Sequence, residues 1–212
     1  MQPAEALRAM VFVGLVVAVY VLAAGFALGR LLERLRRVPP LGRPLVLLRR
    51  AVLGLAAFGA ACIAYGFWVE PYWPEVTHSR IVSPKLAGAT RPIRIVHLSD
   101  LHSDATPRLE DRLPELVAAE KPDVIVFTGD AINSPDGLPV FRQCLTRLAA
   151  IAPTFVVRGN WDAWFWSDLD LFGGTGAREV DGEAVKVDVA GTTLWIAGAG
   201  VGREARIGKT LA

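Results

Sequence analysis

The chain has 212 residues, of which 52% are apolar, and it carries 23 Lys and Arg against 21 Asp and Glu. Soluble domains are about 45–50% apolar even with glycine counted, so this composition argues against a wholly soluble protein and against a disordered one. The charge is unevenly placed, because residues 1–70 hold 8 Arg against 3 Glu, whereas residues 71–212 are mildly acidic. A basic nucleic-acid-binding domain is therefore excluded as the default interpretation, and no nucleic-acid partner is expected.

Two uncharged apolar runs open the chain. Residues 10–28 and 51–69 are each 19 residues long, within the roughly 17–25 residues that a membrane-spanning helix needs. The apolar core of a cleaved signal sequence is shorter, about 7–15 residues. Here the first run is longer than that, and a second run follows it. The pattern predicts a transmembrane hairpin over residues 1–70, with a signal anchor as the alternative for the first run.

The segment between the two runs is rich in arginine. It contains seven Arg and a single Glu between residues 30 and 50. Short basic loops stay in the cytoplasm because arginine is costly to translocate. We therefore expect a two-span anchor in the cell (inner) membrane, with the lipid bilayer as a partner. The soluble part, and both termini, would then lie outside the cytoplasm.

Residues 71–90 contain three prolines and are interpreted as a linker, and residues 91–212 as a separate domain. Apolar, β-branched runs predict strands, and apolar residues at helical spacing predict helices. These are strands over 93–98, 124–127 and 154–157, and helices over 109–119 and 138–150. The β-α-β-α-β order predicts a parallel sheet with right-handed crossovers. A β-hairpin is predicted over 184–197, with Ala190 and Gly191 near its turn.

Polar side chains follow each of the three predicted strands, at residues 99–102, 128–133 and 158–162. In a parallel sheet, functional residues gather just past the carboxyl ends of the strands. One aspartate after a strand is more often a turn former or a helix cap than a ligand. Because each of three successive strand ends carries an Asp together with a His or an Asn, a metal site is the favoured interpretation.

The three motifs resemble the calcineurin-like metallophosphoesterase superfamily, whose pattern is D-x-H, then G-D-x-x-[DN], then G-N-H-[DE]. They stand here at residues 100–102, 129–133 and 159–162. The resemblance implies part of an αββα sandwich, and two divalent metal ions drawn from Mn, Fe, Zn or Mg. Because the two apolar runs precede these motifs, the chain also resembles a membrane-anchored branch of the family, similar to UDP-diacylglucosamine pyrophosphohydrolases. The implied activity is hydrolysis of a phosphodiester or pyrophosphate, including a lipid pyrophosphate.

The resemblance also implies roles for individual residues. Asp100 and His102 would bind the first metal, Asp130 would bridge both metals, and Asn160 would bind the second through its amide oxygen. Asp130, Asn160 and Asp162 would form the catalytic set, with Asp162 orienting its neighbours.

Two departures from the family pattern affect the expected activity. Trp161 stands where the family has a histidine, and an indole is a hydrogen-bond donor that cannot act as an acid. No histidine follows His102, so the later lone His and the G-H-x-H are missing. We expect a C-terminally truncated version with an incomplete metal site and weak or no activity. The alternatives are an inactive, membrane-tethered binding or scaffold domain, or a truncated gene product.

A run of aromatic residues surrounds the first departure. Trp161, Trp164 and Trp166 could form an apolar wall for a lipid-linked substrate or a contact with the membrane surface. The alternative interpretation is that they serve as core or lid packing.

Overall fold

The computed structural model describes residues 3–35 and 38–201. The chain divides into two compact units, Met1–Trp73 and Pro74–Ala212. The division falls close to residue 70, the predicted end of the hairpin. The first unit consists of helices α1 (Pro3–Arg34) and α2 (Arg43–Trp68), followed by a 3₁₀ turn at Glu70–Tyr72.

Helices α1 and α2 contain the two apolar runs, and both are long and apolar enough to cross a membrane. They pack through small residues, since Ala23 and Ala56 are buried and a side chain at Gly59 would meet the Tyr20 hydroxyl. Close approach of this kind is typical of helix pairs that bring small residues to their contact. Near the connecting loop, Nη1 of Arg49 donates to both carboxylate oxygens of Glu33, at 3.0 and 3.1 Å.

The second unit is a mixed α/β domain, as predicted. Its helices are α3 (Leu113–Ala119), α4 (Leu138–Ala149) and α5 (Asn160–Phe165). Its strands are β1 (Ile95–Leu98), β2 (Val124–Phe127), β3 (Thr154–Val156), β4 (Arg178–Glu179), β5 (Ala184–Val189) and β6 (Thr192–Ala197).

Strands β1 to β4 form one sheet in chain order, and every pairing in it is parallel. The parallel sheet inferred from the β-α-β-α-β order is therefore confirmed. Strands β5 and β6 form a separate antiparallel hairpin. Helix α5 and strand β4 were not predicted; each is too short to show a period in the sequence.

The sheet is covered on both faces. On one face, Ile125 packs among residues of α3 and α4, and Phe127 and Val156 pack on α4. On the other face, Val124 and Phe155 pack against the hairpin. Because successive strand residues point to opposite faces, this alternation buries β2 and β3 on both sides. The order of layers is therefore helices, parallel sheet and hairpin.

An ion pair ties the start of β1 to the start of β2. The Arg91 guanidinium donates to both carboxylate oxygens of Asp123, at 2.5 and 2.8 Å. The main-chain N–H of Arg94 donates to Oδ2 of the same carboxylate at 2.9 Å. The hydrogen bond from Arg91 is the main reason that the pKa of Asp123 lies below its usual range. The ion pair therefore stabilises the fold above the pKa that Asp123 has in the unfolded chain. This stabilisation is lost as the pH falls through the lower pKa that Asp123 has in the folded protein.

Cys144 of α4 is buried in the core and forms no disulfide. Burial raises the pKa of its thiol to about 12. Since the thiolate is the reactive form, this side chain is an inert core residue at neutral pH.

Candidate metal centre

Three potential metal ligands converge at the carboxyl ends of β1 and β2. Asp100 and His102 follow β1, and Asp130 follows β2. One ligand atom from each lies within 4.8 Å of the other two, and Nε2 of His102 is 3.8 Å from Oδ2 of Asp130. Carboxylate and imidazole ligands bind such cations at about 2.0–2.2 Å. Atoms this close together can therefore share one divalent ion, so the donor set fits the predicted metal.

The backbone at these three residues is left-handed, with φ of 56° at Asp100, 44° at His102 and 59° at Asp130. Residues other than glycine rarely adopt this conformation, although Asp, Asn and His do so more readily than most. Strain of this kind clusters at functional sites, where the surrounding structure holds it in place. Here the Asp100 N–H donates to the Gly129 carbonyl, and the His102 N–H to the Asp130 carbonyl, both at 3.0 Å.

The two motif glycines allow the loops after β2 and β3 to touch. A Cβ on Gly129 would lie 1.9 Å from the main-chain nitrogen of Gly159, and a Cβ on Gly159 would lie 2.2 Å from Oδ1 of Asp130. Gly129 also has a φ of +97°, a conformation that strongly favours glycine. The glycines before Asp130 and Asn160 are therefore required by the close packing of the site.

Replacing Gly129 with alanine should destabilise the domain by about 3 kcal/mol or more, because overpacking adds to the cost of the left-handed backbone. Gly174→Ala is the matched control, since Gly174 has a φ of +75° with nothing within 4 Å of the added Cβ. Gly174→Ala should lower the free energy of unfolding only by the cost of a left-handed backbone at a residue with a side chain, about 1–2 kcal/mol. Denaturant unfolding of both variants measures the difference, and equal losses would show that the loop contact does not matter.

Asp162 connects the loop after β2 to the loop after β3 through hydrogen bonds. It is fully buried, and its Oδ2 accepts hydrogen bonds from the main-chain N–H groups of Asp130 (2.7 Å) and Gly159 (3.0 Å). Its Oδ1 accepts a third, from the N–H of Ala131, at 2.9 Å. All three partners are main-chain groups beside the candidate ligands. The geometry therefore suits a residue that positions the ligands, and not one that reacts with a substrate.

Asn160, the first residue of α5, lines a cleft of about 300 Å³ together with Asp100 and Asp130. Asn160 therefore borders the same space as two of the three clustered ligands. Ala199 and Val201 also line this cleft, and the sequence analysis did not include them. No local pattern in the sequence marks them, because their position depends on close packing at Gly198, where a Cβ would collide with Val157 and Val180. This tight packing brings the chain after β6 against the site.

The aromatic residues of α5 and its C-cap divide between two environments. Trp161 is half-buried, and its ring makes an edge contact with His102 at 5.6 Å between centroids and packs on Phe165 at 4.5 Å. Trp166 packs against the core and donates from Nε1 to the Ile132 carbonyl. Trp164 and Phe165, by contrast, are 66% and 55% exposed. Packing therefore describes Trp161 and Trp166, whereas a wall or membrane contact formed by the exposed Trp164 stays a prediction.

The sequence profile of calcineurin-like phosphoesterases matches residues 93–201, just over half of the chain. The chain belongs to this family. The match spans the six strands found among the described residues and the three clustered ligands. Calcineurin-like phosphoesterases generally use divalent metals, which agrees with the donor set found at the ends of β1 and β2.

Two curated proteins resemble this calcineurin-like phosphoesterase. An uncharacterized metallophosphoesterase of Aquifex aeolicus is 32% identical over 126 residues, which cover 57% of this chain and 48% of that protein. The uncharacterized metallophosphoesterase YkuE of Bacillus subtilis is 33% identical over 93 residues, covering 41% and 32%. The chain thus spans half or less of the length of these relatives.

Proposed function

We propose that this protein is a divalent-metal-dependent phosphoesterase that hydrolyses a phosphodiester or a pyrophosphate. The observation that carries the proposal is the convergence of Asp100, His102 and Asp130, with ligand atoms within 4.8 Å of one another. Family membership supports the same conclusion. When bound, divalent cations supply Lewis-acid stabilisation of the charge that develops on the phosphoryl oxygens.

The residues of the chain then have distinct roles in the proposed site. Asp100 and His102 would hold a first cation, Asp130 would contribute to holding both, and Asn160 would offer its amide oxygen to a second. Asp162 keeps the loops of Asp130 and Asn160 in register through its three hydrogen bonds.

Trp161 bears on the kind of leaving group. The indole N–H can donate a hydrogen bond but cannot deliver a proton, and general-acid assistance is worth about 10²–10⁴-fold in rate. A leaving group that is stable as an anion depends least on such assistance. The side chain at this position therefore favours a pyrophosphate, whose leaving group is a phosphate, over an ester of a simple alcohol.

We also propose that α1 and α2 anchor the protein in the cell inner membrane, with the phosphoesterase domain outside the cytoplasm and a lipid-linked substrate. The length and apolar character of both helices, and the arginines between them, support this arrangement. A reporter fused after residue 212 should be active outside the cytoplasm. A reporter active only in the cytoplasm would reverse the orientation, and recovery of the protein in the soluble fraction would reject the anchor.

Metal binding and hydrolysis by the purified full chain test the proposed activity. In detergent or nanodiscs, the protein should bind Mn²⁺ and cleave a chromogenic phosphodiester or a nucleotide-sugar pyrophosphate, and EDTA should abolish both. The rate should be low, because the predicted metal site is incomplete. Asp100→Asn should lose most of this binding and activity, since asparagine tolerates the left-handed backbone but removes the charge. Asp104→Asn is the matched control, because Asp104 follows the same strand but is not one of the three clustered ligands.

The outcomes separate the proposal from its alternative. Binding and hydrolysis that are lost in Asp100→Asn and kept in Asp104→Asn would support the metal-dependent phosphoesterase. Absence of Mn²⁺ binding by the folded wild-type chain would overturn it, and would favour the inactive binding or scaffold domain.

A further inference from the structure

The imidazole of His102 lacks the support that metal-binding histidines normally have. Its Nε2 faces Oδ2 of Asp130 at 3.8 Å, whereas its Nδ1 is buried and has no hydrogen-bond partner among the described residues. A histidine that binds metal through one ring nitrogen usually donates from the other to a carboxylate, a carbonyl or water, which fixes the ring. Some other contact must therefore orient this ring.

The indole of Trp161 makes that contact. The two rings meet edge to face, with centroids 5.6 Å apart and planes at 78°, an arrangement that aromatic pairs favour. Phe165 packs on the indole at 4.5 Å between centroids. The indole Nε1 is buried and has no hydrogen-bond partner in the described part of the chain. Packing, and not a hydrogen bond, therefore holds the indole against His102.

The main chain of the same residue acts on a second ligand. The Trp161 N–H donates to Oδ1 of Asp130 at 2.8 Å. This bond occupies one carboxylate oxygen and leaves Oδ2 as the atom nearest to Nε2 of His102. One residue thus contacts two of the three clustered ligands, the first through its side chain and the second through its backbone.

We infer that Trp161 is a positioning residue of the metal centre, whose indole holds the His102 imidazole in the orientation that binds the cation. The inference rests on the proposed metal site, and it gives Trp161 a role that needs no proton transfer. The ring contact with His102 and the main-chain hydrogen bond to Asp130 can be separated by experiment. A side-chain substitution removes the ring contact, whereas the main-chain hydrogen bond to Asp130 is retained in any residue except proline.

Calorimetric titration of Mn²⁺ into the purified full chain, in detergent or nanodiscs, tests the inference. Trp161→Ala should weaken binding by about 10–100-fold, the range found when the support of a metal ligand is lost. Trp161→Phe should restore most of the affinity, because it keeps an aromatic ring beside His102. Trp164→Ala should leave binding unchanged, since Trp164 is largely exposed. The visible absorption of bound Co²⁺ should change in Trp161→Ala and return in Trp161→Phe.

A double substitution distinguishes positioning from general stability. His102→Gly removes the ligand and accepts the left-handed backbone of this position. In that background, Trp161→Ala should cause no further loss of affinity, because the two residues act as one unit. A further loss of the same size as in the wild type would reject the positioning role.

The failures of the two proposals are also distinguishable. If His102→Gly binds Mn²⁺ as the wild type does, the proposed metal site itself is wrong. If His102→Gly weakens binding but Trp161→Ala does not, only the role of Trp161 is overturned. If the alanine variant does not fold, Trp161→Leu takes its place, because leucine keeps apolar volume but removes the ring beside His102. A Co²⁺ spectrum that changes in Trp161→Leu and not in Trp161→Phe supports the ring contact, and wild-type spectra in both variants reject it.

Discussion

Asp130→Asn should reduce both Mn²⁺ affinity and metal-dependent phosphoester hydrolysis by about 10³-fold, equivalent to several kcal/mol of lost charge stabilisation. The substitution preserves the shape of the side chain. It also suits the backbone, because Asp130 has a φ of 59° and asparagine adopts this region readily. An amide oxygen can still accept the hydrogen bond from the Trp161 N–H. The change is therefore confined to the negative charge between the two proposed cations.

The measurement combines kcat/KM at saturating Mn²⁺ with a calorimetric titration of the same variant. Asp136→Asn is a suitable control, because Asp136 is exposed and follows the same strand. Wild-type affinity and turnover in Asp130→Asn would mean that the carboxylate does not bind metal. A loss of both with an unchanged unfolding transition would locate the effect at the site.

Asp162→Ala should lower the free energy of unfolding of the domain by about 3–5 kcal/mol. The buried carboxylate accepts three main-chain hydrogen bonds, from Asp130, Ala131 and Gly159. Each buried donor left without a partner costs about 1–3 kcal/mol. A loss of this size is a large part of the roughly 5–15 kcal/mol that stabilises a typical domain. Metal binding should fail together with the fold, because the loops of Asp130 and Asn160 lose their common anchor.

Denaturant unfolding followed by tryptophan fluorescence measures this loss. The exposed Asp168 provides the control, since Asp168→Ala should change stability by no more than about 0.5 kcal/mol. Asp162→Asn should be intermediate, because its amide keeps one acceptor oxygen and presents N–H groups to donors. Equal stability of Asp162→Ala and Asp168→Ala would show that the three hydrogen bonds do not hold the loops together.

The strands with a clear local pattern could be predicted from the sequence. Residues 124–127 form β2 as an uninterrupted apolar run, and the hairpin strands have the predicted bounds. The hairpin turn at Ala190 and Gly191 has positive φ at both residues, which matches the right-handed twist of the strands it joins.

Other elements depend on contacts that no local pattern shows. Helix α3 begins at Leu113 and not at the predicted residue 109, and Pro114 lies at its first turn, where proline is favoured. Helix α5 is a single six-residue segment, in which the Asp162 carboxylate accepts the N–H of Gly159 at the N-cap. Strand β4 has two residues and exists only through its pairing with β3.

For the candidate site, the polar residues at three strand ends predicted a metal site, and the resemblance to the family selected Asp100, His102, Asp130 and Asn160 among them. The first three cluster in the structure and Asn160 lines the same cleft as Asp100 and Asp130, while their roles in binding metal stay predictions. The contact between Trp161 and His102 could not be predicted, because it depends on where α5 places a ring that is far away in the sequence.

The sequence by itself determined two apolar runs with arginines between them and a mixed α/β domain after them, because apolar length, charge and strand–helix alternation are local properties. It also determined which side chains stand at the strand ends. Only the tertiary structure decided how these side chains meet. The parallel pairing of β1, β2 and β3 places their loops side by side, and the close contact at Gly129 and Gly159 brings them together. Ligand convergence depends on this packing between distant segments, which spacing along the chain does not encode.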